Sequence, residues 1–427
     1  MSNPSYHLDT LCIQGGYEPA SGEPRIVPIA QSTTFKYDSA EQVGDLFDLK
    51  TPGFFYTRLA NPTVAAVEAK IAALEGGAGA LCTASGQAAI SYAILNICQA
   101  GDHLVASSAL YGGTLNLFAV SLKKMGIAVT FVAPDAPDDE LQAAIRPETK
   151  CIFGETIANP ALRVLDLARV AGVAHRNGLP LIVDNTFATP ALCRPLDFGA
   201  DLVVHSTSKY LDGHACALGG VIVDGGRFDW VASGRFPGLT QPDDSYHGLV
   251  YCEAFGPLAY IVKARVQLMR DLGAAASPMN AFLLNLGLET LPLRMARHSS
   301  NALAVARHLA GHAKVGWVNY PGLDGHADHA LVQRYLPAGQ SGVVAFGVRG
   351  GREAAMRFMN RLRLAAIVVH VADARTSVLH PASTTHRQLN DEQLAACGIG
   401  PDMIRFSVGI EHAGDILADL DQALAGD

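Results

Sequence analysis

From residue 63 to residue 224 the chain alternates short apolar runs with amphipathic stretches, and this rhythm constrains its fold more than any other feature. The apolar runs are AGALCTA, HLVASS, IAVTFVA, KCIFGE, LPLIVDN, DLVVHS and ALGGVIVD. Between several of them lie stretches with apolar residues at helical spacing: TVAAVEAKIAALEGG, QAAISYAILNICQAGD, TLNLFAVSLKKMG and DLARVAGVAHRNG. Short strands separated by helices of about 10 to 15 residues predict a parallel sheet covered on both faces, an α/β architecture. In such sheets ligands sit beyond the carboxyl ends of the strands. The loops after the strands are therefore where chemistry is expected.

On either side of this block the pattern changes. Residues 1–62 are broken by Pro19, Pro24, Pro28, Pro52 and Pro62, and read as an irregular arm that must lie on its own core or on a neighbouring subunit. Residues 225–248 read as a long loop, and a helical segment near 257–272 leads to a second unit. That unit mixes helices (AFLLNLGLETLPLRMARHSSNALAVARHLAGH) with strands (VGWVNY, GVVAFGV, AIVVHV, MIRFSVGI), an α+β pattern. The expected organisation is an arm at 1–62, a ligand-binding domain at 63–270 and a smaller α+β domain at 271–427.

The net charge of −8 rules out binding nucleic acid through bulk charge. Charged residues are only 17% of the chain, against about 25% in an ordinary soluble protein. Much surface is therefore expected to be covered by other subunits. No apolar run approaches the roughly 20 residues of a membrane helix, and MSNPSYHLDT has neither the basic start nor the apolar core of a signal peptide. The cysteines at 12, 82, 98, 151, 193, 216, 252 and 397 form no CxxC pair, which suggests neither a disulfide framework nor a zinc knuckle. A cytoplasmic protein without a membrane or nucleic-acid partner is expected.

Three strand ends carry candidate chemistry. Thr83-Ala84-Ser85-Gly86-Gln87 opens a helix, where backbone N–H groups can approach an anion, although on motif specificity alone a tight turn with a Ser85 cap is the better explanation. Asp184 closes LPLIVDN. A carboxylate there is costly without a cationic partner, or it caps the turn beginning at Thr186. Lys209 follows the hydroxyls of Ser206, Thr207 and Ser208, where burial would depress its pKa and make the amine nucleophilic. Each is a weak signal alone. Together they suit pyridoxal phosphate, which needs a Schiff-base lysine, an acid facing its pyridine nitrogen and a phosphate cradle.

Other sites fit less well. The chain has no GxGxxG after a strand, no GxxxxGK[ST] loop, and no GxSxG around Ser85. His205, His214 and Cys216 match no metal-ligand spacing, so no metal is expected and ordinary packing explains them. His298, His312, His326 and His329 are expected at the surface or as caps.

Across nearly its whole length the chain also resembles the pyridoxal-phosphate enzymes of cysteine and methionine metabolism. Among them it is most similar to the long O-acetylhomoserine sulfhydrylases (O-acetylhomoserine aminocarboxypropyltransferases). The shared motifs are QSTTFKY at 31–37, YTRLANPT at 56–63, SGQAA at 85–89, YGGT at 111–114 and GETIANPALRVLD at 154–166. VDNTFATP at 183–190, HSTSKYLDGH at 205–214, HPASTTH at 380–386 and RFSVGIE at 405–411 continue the series. The resemblance implies a fold-type-I (aspartate aminotransferase-like) transferase whose sheet is mostly parallel. It also implies that Lys209 carries the cofactor and shuttles protons, Asp184 faces the ring nitrogen, and Tyr111 stacks on the ring and acts in proton transfer. Ser85, Gly86, Gln87, Ser206 and Ser208 would bind the phosphate, completed by Tyr56 and Arg58 from a neighbouring subunit. Asn159 would touch the phenolic oxygen and also the substrate, while Arg405 and Thr376 would hold the substrate carboxylate.

By the same resemblance the protein would be a homotetramer built from two dimers with shared sites. It would convert O-acetyl-L-homoserine and sulfide, or methanethiol, to homocysteine or methionine plus acetate. A methionine γ-lyase or cystathionine γ-synthase is the near alternative, and a non-catalytic sensor on the same fold the distant one. Ser208 stands where relatives commonly have Thr, and Thr376 where they commonly have Ser. Gly113, where bacterial γ-lyases usually carry Cys, is expected to leave open space beside Tyr111.

Overall fold

Seven strands realise the predicted alternation: β1 (Gly79–Thr83), β2 (His103–Ser107), β3 (Ala128–Val132), β4 (Thr149–Glu155), β5 (Leu181–Asp184), β6 (Leu202–His205) and β7 (Gly220–Asp224). The computed structural model describes residues 6–425 apart from 386, 388, 389, 391, 393 and 395–397. Cys397 and the last residue of the HPASTTH motif thus lie outside the described residues. The strands form one sheet in the order β1-β7-β6-β5-β4-β2-β3. Neighbours from β6 to β3 run parallel, whereas β7 is antiparallel to both β6 and β1. The reversal follows from the connection: residues 206–219 return directly from β6 to β7 without a crossover helix. That return loop carries Lys209.

Alternate residues of each strand enter opposite cores, as the two-residue period of a strand requires. Val105, Ile152, Val183, Val203 and Val221 pack on one face. Leu104, Phe153, Ile182, Val204 and Ile222 pack on the other. With both faces covered, the strands can be apolar throughout, which explains their unbroken runs in the sequence.

The helix Pro62–Glu75 shows how local sequence sets its limits. Asn61 caps it by accepting from the N–H groups of Thr63 and Val64, and Pro62 occupies the first turn, where no donor is lost. It stops at Gly76, whose φ of 76° is left-handed and costs an L-residue about 1–2 kcal/mol.

The arm is less irregular than its prolines imply. It contains helices at Leu8–Gln14 and Ala40–Phe47, the second capped by Ser39. Leu11 and Cys12 enter the main core, and Lys70 donates to the Cys12 carbonyl at 2.9 Å, so the start of the arm lies on its own chain. Residues 225–248 are likewise not a plain loop. Short helical turns at Trp230–Ser233 and Pro237–Thr240 are pinned by Trp230, which stacks on Tyr260 at 5.4 Å. Turns this short lie below the span that hydrophobic periodicity can detect.

The helix Pro278–Glu289 packs on Pro62–Glu75 and the main core, whereas the second unit packs the helix Leu291–Ala310 with a sheet of β8 (Val315–Asn319), β9 (Val343–Val348), β10 (Ala366–Ile367), β11 (Ser377–Leu379) and β12 (Met403–Ser407). Its order is β10-β11-β12-β9-β8. Two expectations are corrected here. AIVVHV is a strand only at Ala366–Ile367, after which residues 368–371 leave the sheet and Val369, His370 and Val371 line the main cavity. His298 is neither exposed nor a cap. It is fully buried against Tyr210 and bonds the Val408 carbonyl through Nδ1 at 2.8 Å. Among the described residues, no helix is long and apolar enough to cross a membrane.

Candidate active site

Strands β1, β4, β5 and β6 end at the same edge of the sheet, where a cavity of about 570 Å³ opens beneath the segment 369–371. Ser85, Gly86, Gln87, Tyr111 and Asn159 line it. So do Asp184, Ser206, Ser208, Lys209 and Arg405. Ten residues singled out in the sequence, spread over 320 positions, thus share one space.

Ser85 caps the helix Gly86–Leu95 by accepting from the Ala88 N–H. The capping reading therefore holds, and the capped helix opening lies on the cavity wall. The N–H groups of Gly86 and Gln87 open the helix, where donors have no intrahelical acceptor. Gly86 lies so close to Ser206 that a Cβ there would fall 2.6 Å from the Ser206 Cβ. Ser208 is more occupied than expected: its hydroxyl donates to the Gly219 carbonyl at 3.2 Å and accepts from the Gly219 N–H at 2.9 Å.

Asp184 Oδ1 accepts from both the N–H and the hydroxyl of Thr186, at 2.9 and 2.5 Å. Thr186 Oγ1 in turn accepts from the Ser206 N–H at 2.9 Å, which ties the end of β5 to the end of β6. Burial raises the Asp184 carboxyl above the usual range, while Thr186 opposes the rise. Among the described residues no Lys, Arg or His lies within ion-pair distance of Asp184. Behind the same strand ends, Glu75 Oε1 accepts from Asn185 Nδ2 and bonds His205 Nε2 at 2.6 Å. His205 thus supports the site through a buried hydrogen bond.

Burial, and then the nearby Arg405 cation, lowers the Lys209 amine to about 8. Lys263 is also pushed to about 8 by burial, but it donates to Asn96 and does not line the cavity. Position, not basicity alone, separates the two. Arg405 projects from β12, is 4% exposed, and reaches Asn159 Oδ1 at 3.4 Å and the Val369 carbonyl at 3.2 Å. Its Nε has no hydrogen-bond partner. A buried guanidinium so poorly compensated is suited to a carboxylate ligand.

Three expectations need correction or qualification. Thr376 does not line the cavity. Its hydroxyl donates to Glu411 at 2.8 Å and accepts from the Gly409 N–H, so the side chain is used in holding the turn. Gly113 does not leave open space, because a Cβ there would meet the Tyr111 ring at 2.5 Å and Gln87 Nε2 at 2.7 Å. Tyr56 and Arg58 are not brought to Lys209 within the chain. They line a different cavity, of about 580 Å³, with the Arg58 guanidinium 5.3 Å from the Tyr56 ring centre and bonded to the Arg270 carbonyl.

The structure also supplies residues that sequence reasoning missed. Glu155, at the end of β4, accepts from the N–H groups of Tyr111 and Asn159 at 2.6 and 3.0 Å and so fixes two cavity segments. Burial, and then Asp184, pushes its carboxyl well above the ordinary range. Its place in the GETIANPALRVLD motif was a usable signal. His370 lies 3.2 Å from Lys209 across a separation of 161 residues, and nothing in the sequence announced it.

The family model for Cys/Met metabolism PLP-dependent enzymes matches residues 9–425. The chain belongs to that family. Among curated relatives, a homocysteine synthase of Schizosaccharomyces pombe is 48% identical over 423 residues, covering 98% of each chain. An O-acetyl-L-homoserine sulfhydrylase of Leptospira meyeri is 46% identical over 430 residues, covering 98% of this chain and 97% of its own. A solved structure described as an O-acetylhomoserine (thiol)-lyase of Campylobacter jejuni superposes with a TM-score of 0.96 at 36% identity, covering 99% of this chain and all of the other. That structure holds a pyridoxyl-lysine monophosphate. The protein is thus a pyridoxal-phosphate-dependent enzyme of fold type I. Its cavity fits the cofactor: a depressed lysine, an unpaired carboxylate and a helix opening meet in one space.

Proposed function

We propose that the protein is an O-acetylhomoserine sulfhydrylase, joining O-acetyl-L-homoserine and sulfide to give L-homocysteine and acetate, with methanethiol giving methionine by the same replacement. The observation that supports this most is Lys209 and Arg405 in one cavity, in a chain 46–48% identical along its length to a homocysteine synthase and an O-acetyl-L-homoserine sulfhydrylase. Pyridoxal phosphate, when bound, supplies the electron sink that makes the substrate's Cα and Cβ protons removable. Gly86 and Gln87 N–H groups with Ser85, Ser206 and Ser208 would hold its phosphate, Asp184 its ring nitrogen and Asn159 its phenolic oxygen. Tyr111, on the cavity wall, would stack on its ring.

Arg405 grips the substrate carboxylate with its planar fork, which fixes Cα relative to Lys209. Lys209 is the base. With its amine lowered to about 8, a useful fraction is neutral near pH 7 and accepts the Cα proton at Nζ. Tyr111, with its backbone held by Glu155, serves as a second proton carrier at the cavity mouth. Thr376 acts at one remove, by fixing the turn before β11 through Glu411.

Tyr56 and Arg58 complete the phosphate site of a neighbouring copy, in a homotetramer of two such dimers. The residues divide as an arm (1–62), a cofactor domain (63–270) and a C-terminal domain (271–427). The seven described cysteines are all free, which suits a cytoplasmic location. Product analysis with O-acetylhomoserine tests the reaction. Homocysteine should dominate when sulfide is present and 2-oxobutyrate should be minor. Rapid 2-oxobutyrate release from methionine, indifferent to sulfide, would replace the sulfhydrylase by a γ-lyase.

A further inference from the structure

Lys209 has one close side-chain partner in the cavity that its family motif does not include. Its Nζ lies 3.2 Å from His370 Nδ1. An ammonium can only donate, so when Lys209 carries its proton Nδ1 is the acceptor and the proton of the neutral imidazole sits on Nε2. Nε2 is buried without a hydrogen-bond partner and lies 3.6 Å from Asp373 Oδ2. Asp373 is itself buried, with Oδ1 accepting from the Arg375 N–H at 2.7 Å. Carboxylate, imidazole and amine thus run in series toward the cavity.

We infer that His370, backed by Asp373, is a positioning residue for Lys209: Nδ1 takes the hydrogen bond of the ε-ammonium whenever the lysine carries a proton, holding it at the cavity wall against the repulsion of Arg405. A lysine that moves protons must be neutral to take one and tolerable as a cation afterwards. Burial and Arg405 favour the neutral form, and Asp373 favours the charged one. His370 sits between Lys209 and Asp373, with Nδ1 toward Nζ and Nε2 toward the carboxylate, whose charge also acts on Nζ directly. The charged groups facing the imidazole are Lys209 and Asp212 on the loop after β6, Asp373 on its own segment and Arg405 on β12. Burial and Lys209 hold it below the usual histidine range, so near neutrality it remains an acceptor. The opposite role, a general base that strips the lysine, would need a ready imidazolium beside two cations.

This inference rests on Lys209 as the cofactor lysine, but not on which ester or thiol the enzyme uses. Its test is competitive acetylation of the full-length, cofactor-free chain across pH, with the Lys209 peptide followed by mass spectrometry. In His370→Leu the ammonium loses its acceptor, so the labelling midpoint should fall by about one pH unit, about tenfold in the proton equilibrium. His370→Asn places an amide oxygen where Nδ1 was and should restore most of the shift. Asp373→Asn should move the midpoint down in the same sense, and it carries the test if the leucine variant does not fold. A midpoint that stays or rises in His370→Leu or Asp373→Asn overturns the inference. Borohydride trapping of the cofactor on wild-type Lys209 separately checks the reading beneath it.

Discussion

Lys209 shows how one side chain acquires chemistry from its surroundings. A lysine ordinarily titrates near 10.4, and here burial and Arg405 hold it at about 8. A depressed amine is protonated below that value and neutral above it, and only the neutral form attacks a carbonyl. Capture of pyridoxal phosphate by the cofactor-free chain should therefore accelerate as pH rises from about 7 to about 9 and level off beyond. Stopped-flow absorbance can follow this. A rate still climbing steeply near pH 10 would mean an ordinary exposed lysine. Gly113 makes a second residue-scale test. The Tyr111 and Gln87 atoms that a new Cβ would strike are the far ends of side chains, so Gly113→Ala should fold normally while displacing the ring. We expect kcat/KM to fall about tenfold or more, since small misplacements in a site are expensive, with stability changed by less than about 1 kcal/mol. Unchanged kinetics would show that the position of Tyr111 is not critical.

At the scale of elements, the active site depends on how strand ends are tied together. The Thr186 hydroxyl gives its hydrogen to Asp184 and accepts the Ser206 N–H, joining β5 to β6. Thr186→Val removes both contacts while keeping the shape. It should cost about 1–3 kcal/mol in chemical denaturation, because a backbone donor is left unmet. It should also weaken cofactor retention, since Asp184 loses a contact that favours its charged form. Thr186→Ser should recover most of both losses, and equal loss in the two variants would point to packing instead. Long elements such as Pro62–Glu75, with apolar residues at helical spacing and a glycine stop, were legible in the sequence, although its asparagine cap appeared only in the structure. The arm helices, the turns at 230–240 and the three-residue β11 were not, because their order comes from contacts remote in sequence.

At the scale of the whole molecule, the arm divides its allegiance. Its first helix is anchored in the chain's own core, whereas Tyr56 and Arg58 lie in a cavity apart from Lys209. If a second copy receives these residues, Arg58→Ala and Lys209→Ala subunits, each inactive or weak, should regain activity when mixed. A hybrid dimer then has one site with both defects and one with neither, so recovery should approach about a quarter of wild type at equal mixing, given random exchange. No recovery despite demonstrated subunit exchange would return the arm to its own site.

Alternation determined the α/β class by itself, because covered strands must be apolar and helices must show one apolar face. The conjunction of Ser85, Asp184 and Lys209 at predicted strand ends also pointed to the cofactor, since parallel strands bring their ends to one edge. What folding alone decided is contact between distant segments. Thr376 turned to Glu411, the Tyr111 ring filled the space at Gly113, and residues 368–371 left their predicted strand to bring His370 to Lys209. Local periodicity records which face a residue prefers, but a hydrogen bond across 161 positions exists only once two units of the chain have packed together.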